Sequence, residues 1–411
     1  MADEKNLNYE FDEFDVDDDF TVGDEGSGGF IHSAKISVVG VGGGGGNAVE
    51  YMTLAGISDI NYVAANTDVG ALKKLDRNKM ARIQLGRKTS KGRGAGSDPE
   101  RGRACAEENI DDVIKEIEDS AMVFVTAGMG GGTGTGAAPV IAKAIKDKGI
   151  LTIGVVTKPF HNEREQRMNV AMAGIEEMRK CVDALVVIPN EKIKDISKGF
   201  TFHNAYGEVN KVLCRAVMGV SSLVRDDENR RQYQSVDFQD IETALSDAGT
   251  AHMALASAQG DKFIDNAVDQ IVNCPLLETS IKGARRMLIS VTIGYDMMYD
   301  DVELLISKLT ENGAPDVQVK FGVTYNDSFS GDQVEVIAIA ADFDEPEPTI
   351  PFSVDIPDFP SDDPLFKMSA ESAQTTQSSN IDSGFGGSFS SGGESFNEML
   401  NIVNKKNSGR F

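Results

Sequence analysis

The chain has 411 residues, 40% of them hydrophobic and 26% charged, which is the composition of a globular protein with room for two or three domains. Its formal net charge of −25 argues against nucleic acid as a main partner and against direct binding or insertion at an anionic membrane. Four scattered cysteines without a C-x-x-C pair, an acidic N-terminus and no run of about 18 apolar residues predict a reduced, cytoplasmic protein with no signal peptide and no membrane span.

Residues 1–32 read as a disordered acidic arm, with Asp17-Asp18-Asp19 and Gly26-Ser27-Gly28-Gly29 offering nothing to bury. Lys35-Ile36-Ser37-Val38-Val39-Gly40 predicts a strand, which feeds the glycine run Gly40-Val41-Gly42-Gly43-Gly44-Gly45-Gly46-Asn47. A helix is expected over 47–54, then a strand over 61–65 that ends in the polar turn Asn66-Thr67-Asp68. A basic, glycine-punctuated loop follows (Lys88, and Lys91 through Gly96), then a single helix over 99–117. The strand over 122–126 leads into a second glycine run, Gly130-Gly131-Gly132-Thr133-Gly134-Thr135-Gly136, with Pro139 in the first turn of the next helix, where a missing N–H costs nothing. Apolar runs over 151–157 and 184–188 continue the alternation of strand and helix, which predicts a parallel sheet covered on both faces.

Over 204–225 the spacing of Tyr206, Val209, Leu213, Val217, Val220 and Val224 predicts a long amphipathic helix that bridges to a second domain. That domain, over 226–343, reads as a smaller mixed α/β unit with strands over 252–256, 287–293, 317–325 and 334–340 and helices over 263–272 and 302–309. Residues 344–411 read as a flexible tail rich in Pro, Asp, Ser and Gly. Within it, Ser395-x-x-Glu398 is a capping-box pattern, and Phe396, Met399, Leu400 and Val403 share one helical face, which suits a short helix that folds on a partner.

Each glycine run follows a strand and precedes a helix. Such a turn lets backbone N–H groups approach an anion, and the helix N-terminus adds partial positive charge. The first run alone fits a dinucleotide fingerprint, with Asp68 at the end of the second strand as a ribose ligand, and would suit a Rossmann-type NAD(P) oxidoreductase. Two such runs without G-x-x-x-x-G-K-[ST] point to a longer phosphate chain.

The second run has the form G-G-G-T-G-[ST]-G, and with it the chain resembles FtsZ, the family of bacterial tubulin-like cell-division GTPases. The likeness spans 35–343 and includes Asn66-Thr67-Asp68, Lys91 through Gly96, Thr157-Lys158-Pro159-Phe160 and Ile188-Pro189-Asn190. It implies a Rossmann-like parallel-sheet GTPase domain over 33–203, a central helix over 204–225 and a smaller mixed α/β domain. It also implies GTP/GDP with Mg²⁺ as ligands, head-to-tail homopolymers, a ring at the division site and membrane-tethering adaptors on the tail. Residue by residue, the resemblance implies that Gly43, Gly44, Gly45, Gly46 and Asn47 lie along the phosphates and sugar, and that Gly132, Thr133 and Gly134 cradle the phosphates. Glu163 and Arg167 would serve the ribose and phosphate side, though their i,i+4 spacing equally suits a plain helical ion pair. Tyr206, where the family usually has Phe, would stack near the base, and Asn210 would bond the guanine edge.

In Ser235-Val236-Asp237-Phe238-Gln239-Asp240, local chemistry predicts a helix start with Asp237 as N-cap and Asp240 at N3. The resemblance implies that both acids orient an attacking water on the neighbouring subunit's nucleotide. Ser235 stands where the family usually has Asn, which predicts slower hydrolysis with nucleotide binding intact and keeps open a structural filament of very weak activity. Asp355-Ile356-Pro357-Asp358-Phe359 resembles the family's adaptor-docking peptide, but Pro360 and further acid follow instead of a basic chain end.

Overall fold

The computed structural model describes residues 34–343, except 57–58, 197–199, 202, 225–231, 235, 275 and 277–280. Its first half alternates strand and helix: β1 (Ile36–Val41), α1 (Gly42–Leu54), β2 (Ile60–Asn66), α2 (Val69–Lys74), β3 (Ala81–Gln84), α3 (Pro99–Glu108), α4 (Ile110–Ile117), β4 (Met122–Gly128), α5 (Thr133–Lys146), β5 (Leu151–Lys158), α6 (Glu165–Arg179) and β6 (Ala184–Pro189). Then come α7 (Asn190–Ile196), the long α8 (Ala205–Val224), β7 (Gln232–Gln234), α9 (Phe238–Leu245), β8 (Gly249–Gln259), α10 (Phe263–Val272), β9 (Ala284–Ile293), α11 (Tyr299–Thr310), β10 (Gln318–Tyr325) and β11 (Gln333–Phe343).

The eleven strands among the described residues join one sheet in the order β3-β2-β1-β4-β5-β6-β8-β11-β9-β10-β7. From β3 to β6 every neighbour is parallel. Both faces of these strands are buried, so residues of alternating direction feed two different cores. Ile36, Val38 and Phe124 pack with α1 and α8, whereas Val39, Val41, Val123 and Val125 pack with helices α3 to α6. The second half is mixed: β11 runs antiparallel to β8 and β9, and β10 parallel to β9. The halves meet at three residue pairs between β6 and β8, Ala184 with Gly249, Leu185 with Thr250 and Val186 with Ala251. Helix α8 supplies buried residues to the larger core along its length, from Val209 to Leu223.

Strand order reverses between β1 and β4, which lie side by side. Crossovers leave these two strands in opposite directions, so a crevice opens beyond their carboxyl ends. Both glycine runs follow these two strands.

Local boundaries differ from the pattern reading in three places. Helix α1 begins at Gly42, five residues before the expected start at Asn47, because Gly42, Gly44 and Gly45 are held against neighbouring backbone, which overrides propensity. The single helix expected over 99–117 is two, α3 and α4, broken at Asn109. The Asn109 side chain is turned inward, where Oδ1 accepts from Gly86 N at 2.8 Å. The turn at Asn66-Thr67-Asp68 starts a further helix, α2, with the Asp68 carboxylate accepting from Gly70 N and Ala71 N. All four cysteines are buried and free, and burial pushes the Cys214 thiol up to about 11.

Helices α3 and α5 touch backbone to backbone: a Cβ on Gly136 would overlap the Pro99 carbonyl oxygen and lie 2.8 Å from Arg103 N. Gly136→Ala is therefore expected to lower stability by about 1–3 kcal/mol or more. Gly207→Ala, in α8 with nothing within 4 Å of the added carbon, should be neutral or stabilising by up to ~1 kcal/mol. Urea unfolding midpoints of the two variants test the contrast.

Candidate nucleotide site

The two glycine runs form one surface. Gly42 opens α1 at φ +74°, a backbone state glycine adopts freely, and a Cβ there would come within 2.9 Å of Gly134 N in the other run. A Cβ on Gly44 would come within 3.2 Å of Gly128 N. Among the described residues no side chain caps the N-terminus of α1 or α5, and neither first turn carries an acid. Two helix starts with unclaimed N–H groups thus sit side by side, which is a ready anion site. Gly43, Gly44 and Asn47 are exposed, and the places where Cβ atoms of Gly43 and Gly131 would stand are open space. Gly45 and Gly132 are required by packing: a Cβ on Gly45 would overlap the Thr126 carbonyl oxygen, and one on Gly132 would stand 2.7 Å from Asp98 N.

Hydroxyl groups lock the second run. The Thr67 and Thr133 hydroxyls bond at 2.6 Å, and Gly130 N donates to Thr135 Oγ1 at 2.9 Å. Gly94 N donates to the Thr67 carbonyl, which draws the basic glycine loop to the same edge. Asp68, the ribose ligand of a dinucleotide reading, is engaged as the α2 cap.

One wall of the crevice is a linked chain of side chains. Arg167 lies against the second run, since a Cβ on Gly130 would stand 2.7 Å from its Cγ. Its Nη1 pairs with Glu163 Oε2 at 2.9 Å, and Glu163 Oε1 accepts from Phe160 N at 2.9 Å. Glu163 is largely buried and Arg167 half exposed, so the pair is anchored on one side and open on the other. The Tyr206 ring meets Phe160 edge-on at 5.6 Å and is 53% exposed, the posture of a platform for a flat ligand. Partial burial, then the Glu163 charge and the hydrogen bond to it, push the Tyr206 phenol above its ordinary value. Asn210 is half-buried one turn further along α8, which packs against α1.

Pattern reading left out four residues that the structure places here. Phe160 is braced by Phe200 and Lys194 and in turn supports Tyr206. Thr67 bonds Thr133, and Gly131 borders open space. Asn190, which follows β6 and opens α7, holds a buried Oδ1 with no hydrogen-bond partner among the described residues. The motifs Asn66-Thr67-Asp68, Thr157-Lys158-Pro159-Phe160 and Ile188-Pro189-Asn190 were the available signals for three of them.

Asp237 and Asp240 are placed elsewhere. Asp237 is exposed and caps α9, accepting from Gln239 N at 3.3 Å, while Asp240 sits at N3 and pairs with Lys320 at 2.7 Å. Helix α9 packs against β5, β9 and β10. Its foot is tied to Lys146 through Asp247, and Lys146 ends α5, a helix of 14 residues that begins at the second glycine run. That is about 21 Å of helix. Likewise α8 leaves the crevice at Tyr206 and carries the chain 20 residues, about 30 Å, before α9. None of the described bonds of either acid involves a glycine run. Ser235 lies outside the described residues, as do the tail segments 355–359 and 395–403. Among the described residues no group of three or more His, Cys, Asp or Glu is arranged to hold a metal, and no helix is long and apolar enough to cross a membrane.

Residues 35–198 match the GTPase domain of the Tubulin/FtsZ family, and 249–344 match the FtsZ family C-terminal domain. The cell division protein FtsZ of Aquifex aeolicus is 41% identical over 319 residues, covering 77% of this chain and 85% of that protein. The chain belongs to the tubulin/FtsZ family. The FtsZ of Magnetospirillum gryphiswaldense is 42% identical over 322 residues, 77% of this chain and 56% of that protein. The chain thus spans about half the length of several of the curated FtsZ relatives it matches. The empty FtsZ dimer of M. jannaschii superposes with a TM-score of 0.69 at 35% identity, over 75% of this chain and 88% of that one.

The FtsZ-type crevice makes opposite demands on neighbouring glycines. Gly43→Ala should leave the unfolding midpoint unchanged, because nothing lies within 4 Å of its added carbon, yet weaken guanine-nucleotide binding at least about tenfold by occupying the approach to the N–H groups. Gly45→Ala should instead lower stability by ~1–3 kcal/mol. Calorimetric nucleotide titration beside urea unfolding separates the two.

Proposed function

We propose that this protein is a GTP-hydrolysing filament former that assembles head to tail and acts in the cytoplasm as the division ring. The observation that carries this reading is the separation just described. The anion crevice and the two candidate catalytic acids belong to one chain but lie far apart on it, so a complete site needs two copies.

In this reading Gly43 through Asn47 and Gly132 through Gly134 hold the phosphates with backbone N–H groups and the Thr133 hydroxyl. Glu163 and Arg167 serve the ribose and phosphate side, Tyr206 faces the base, and Asn210 bonds the guanine edge. Asp237 and Asp240 of the next protomer accept hydrogen bonds from a water and aim it at the terminal phosphate; positioning and electrostatics are most of what phosphoryl transfer asks of a protein. The cap made by Asp237 helps here, because a carboxylate fixed at a helix start has few orientations open to it. Magnesium, if it accompanies the triphosphate, takes its oxygens mainly from phosphate and water, since the described residues form no carboxylate cage.

A contact between two different faces does not close on itself and propagates as a filament. Loss of the terminal phosphate at such a junction weakens it and permits turnover. We assign 33–203 to the nucleotide domain, 204–225 to the connecting helix and 226–343 to the second domain, with segments 355–359 and 396–403 as candidate adaptor-docking peptides. Family membership removes the nicotinamide alternative. A filament with very weak hydrolysis stays as the second reading, because Ser235 lacks an amide.

The shared site is tested by mixing two inactive variants. Asp237→Ala should bind GTP and assemble but release phosphate at least about tenfold more slowly, and Gly43→Ala should fail for want of nucleotide. Mixed in equal amounts they should recover about a quarter of wild-type turnover, the fraction of junctions that join a sound pocket to sound acids. No recovery, or wild-type turnover per molecule that is independent of protein concentration, refutes the reading. Ser235→Asn should raise turnover several-fold at unchanged GTP affinity; an equal or lower rate removes the role given to that position.

A further inference from the structure

The two ends of α5 meet different partners. Its N-terminus is the second glycine run. At its C-terminus the Lys146 ammonium donates to Asp247 Oδ1 at 2.8 Å and to the Val182 carbonyl at 3.1 Å, and pairs with Asp183 Oδ1 at 3.0 Å. These acceptors match the three N–H donors of a lysine. Asp183 is itself fixed: Oδ2 accepts from Thr152 N at 2.8 Å, and its carbonyl accepts from Gly249 N. Asp247 stands between α9 and β8 with φ +47°. The preceding carbonyls at the end of α9, those of Thr243 and Ser246, accept from Arg286 Nη1, while Arg286 Nε bonds Asp342. The foot of α9 is therefore held by a cation from β9 on one side and by the last residue of α5 on the other.

We propose that Lys146 is a positioning residue that couples the phosphate-holding start of α5 to α9, the helix that carries Asp237 and Asp240. This inference rests on the reading that those acids act on the neighbour's nucleotide. Helix α5 suits the task because nearly its whole length is packed, from Gly134 to Ile145, and a close-packed rod passes a displacement along instead of absorbing it. A shift of the glycine run on nucleotide binding reaches Lys146 about 20 Å away and biases the angle at which α9 presents its acids. The cluster spans a gradient of burial: the Asp183 side chain is 11% exposed and that of Lys146 32%, whereas that of Asp247 is 86% exposed. Lys146 is partly desolvated, which alone would lower its pKa, yet the bonds to Asp247 and Asp183 outweigh this and hold it above the usual lysine value. The neighbouring Lys143–Asp147 pair, at 3.5 Å with both side chains about two-thirds exposed, supplies a control on the same turn.

The test uses the full chain. Below the concentration of assembly, amide exchange in 238–245 is compared with and without GDP. In the wild type and Lys143→Met, GDP should slow that exchange; in Lys146→Met and Asp247→Asn the difference should vanish while GDP affinity stays within about twofold; Lys146→Arg should restore it. In assembled protein at saturating GTP, turnover per protomer should fall about fivefold in each of the two coupling variants, with the double variant no worse than the lower single. Persistence of the GDP effect in Lys146→Met, or an equal loss in Lys143→Met, overturns the proposal. If Lys146→Met does not fold, Asp247→Asn decides, since it keeps the shape and removes the charge. Asp237→Ala is measured in parallel: normal hydrolysis there defeats the two-copy site, whereas the exchange result reports on the coupling alone.

Discussion

Everything in this fold turns on how closely two stretches of bare backbone approach each other. Gly42 and Gly134 touch, Gly44 lies on Gly128, and Gly45 packs on the Thr126 carbonyl. Side chains at these places would force the two helix starts apart and replace their unclaimed N–H groups with hydrocarbon. The approach in turn requires β1 and β4 to be neighbours, which places the strand-order reversal between them, and a sheet whose two faces are both covered. The long buried runs of β1, β4 and β5 follow from that requirement. Tyr206, Glu163 and Arg167 then line the rim, linked to one another through Phe160 and anchored to the second run at Gly130.

The glycine runs were readable in the sequence because their composition has few other uses: packing demands glycine at positions such as Gly42, Gly45 and Gly132, while Gly43 and Gly131 border open space. The parallel half-sheet and the 20-residue helix were readable for a related reason, since long periodic or fully apolar segments have a single compatible environment. The cap at Asp237 was readable because capping is local chemistry. What escaped was decided by contacts distant in sequence. The break at Asn109 depends on Gly86, the role of Phe160 depends on Phe200 and Tyr206, and the start of α1 depends on backbone oxygens across the crevice. Three-residue β7 pairs with β10 across an irregular register and has no periodicity of its own to read. Helix α6, with three glycine- or alanine-sized residues among Ala171, Ala173 and Gly174 and little separation of polar from apolar faces, gave an equally faint pattern.

The placement of the acids shows where local and family reasoning part. Capping chemistry explains why an Asp stands at the start of α9, and it would explain it in any protein. Nothing local says that this carboxylate should serve a nucleotide. In the proposed reading it is the distance from the crevice, which follows from the lengths of α5 and α8, that makes a second copy of the chain the supplier of these acids. The observed cap is compatible with the proposed role, because a cap occupies some of the lone pairs of a carboxylate and leaves the others facing water.

The narrow seam between β6 and β8 has a mechanical consequence. Beyond β8 lie four further strands, ending at β7. At a spacing of about 4.8 Å they form an arm about 19 Å long, joined to β6 within the sheet by three residue pairs and braced beside it by α8 and by the Lys146–Asp247 bond. A turn of about 10° at the seam would sweep the outer edge through ~3 Å, the length of a hydrogen bond, while a residue at the seam would scarcely move. A disturbance too small to register in the middle of the sheet is thereby large enough at its rim to make or break a contact.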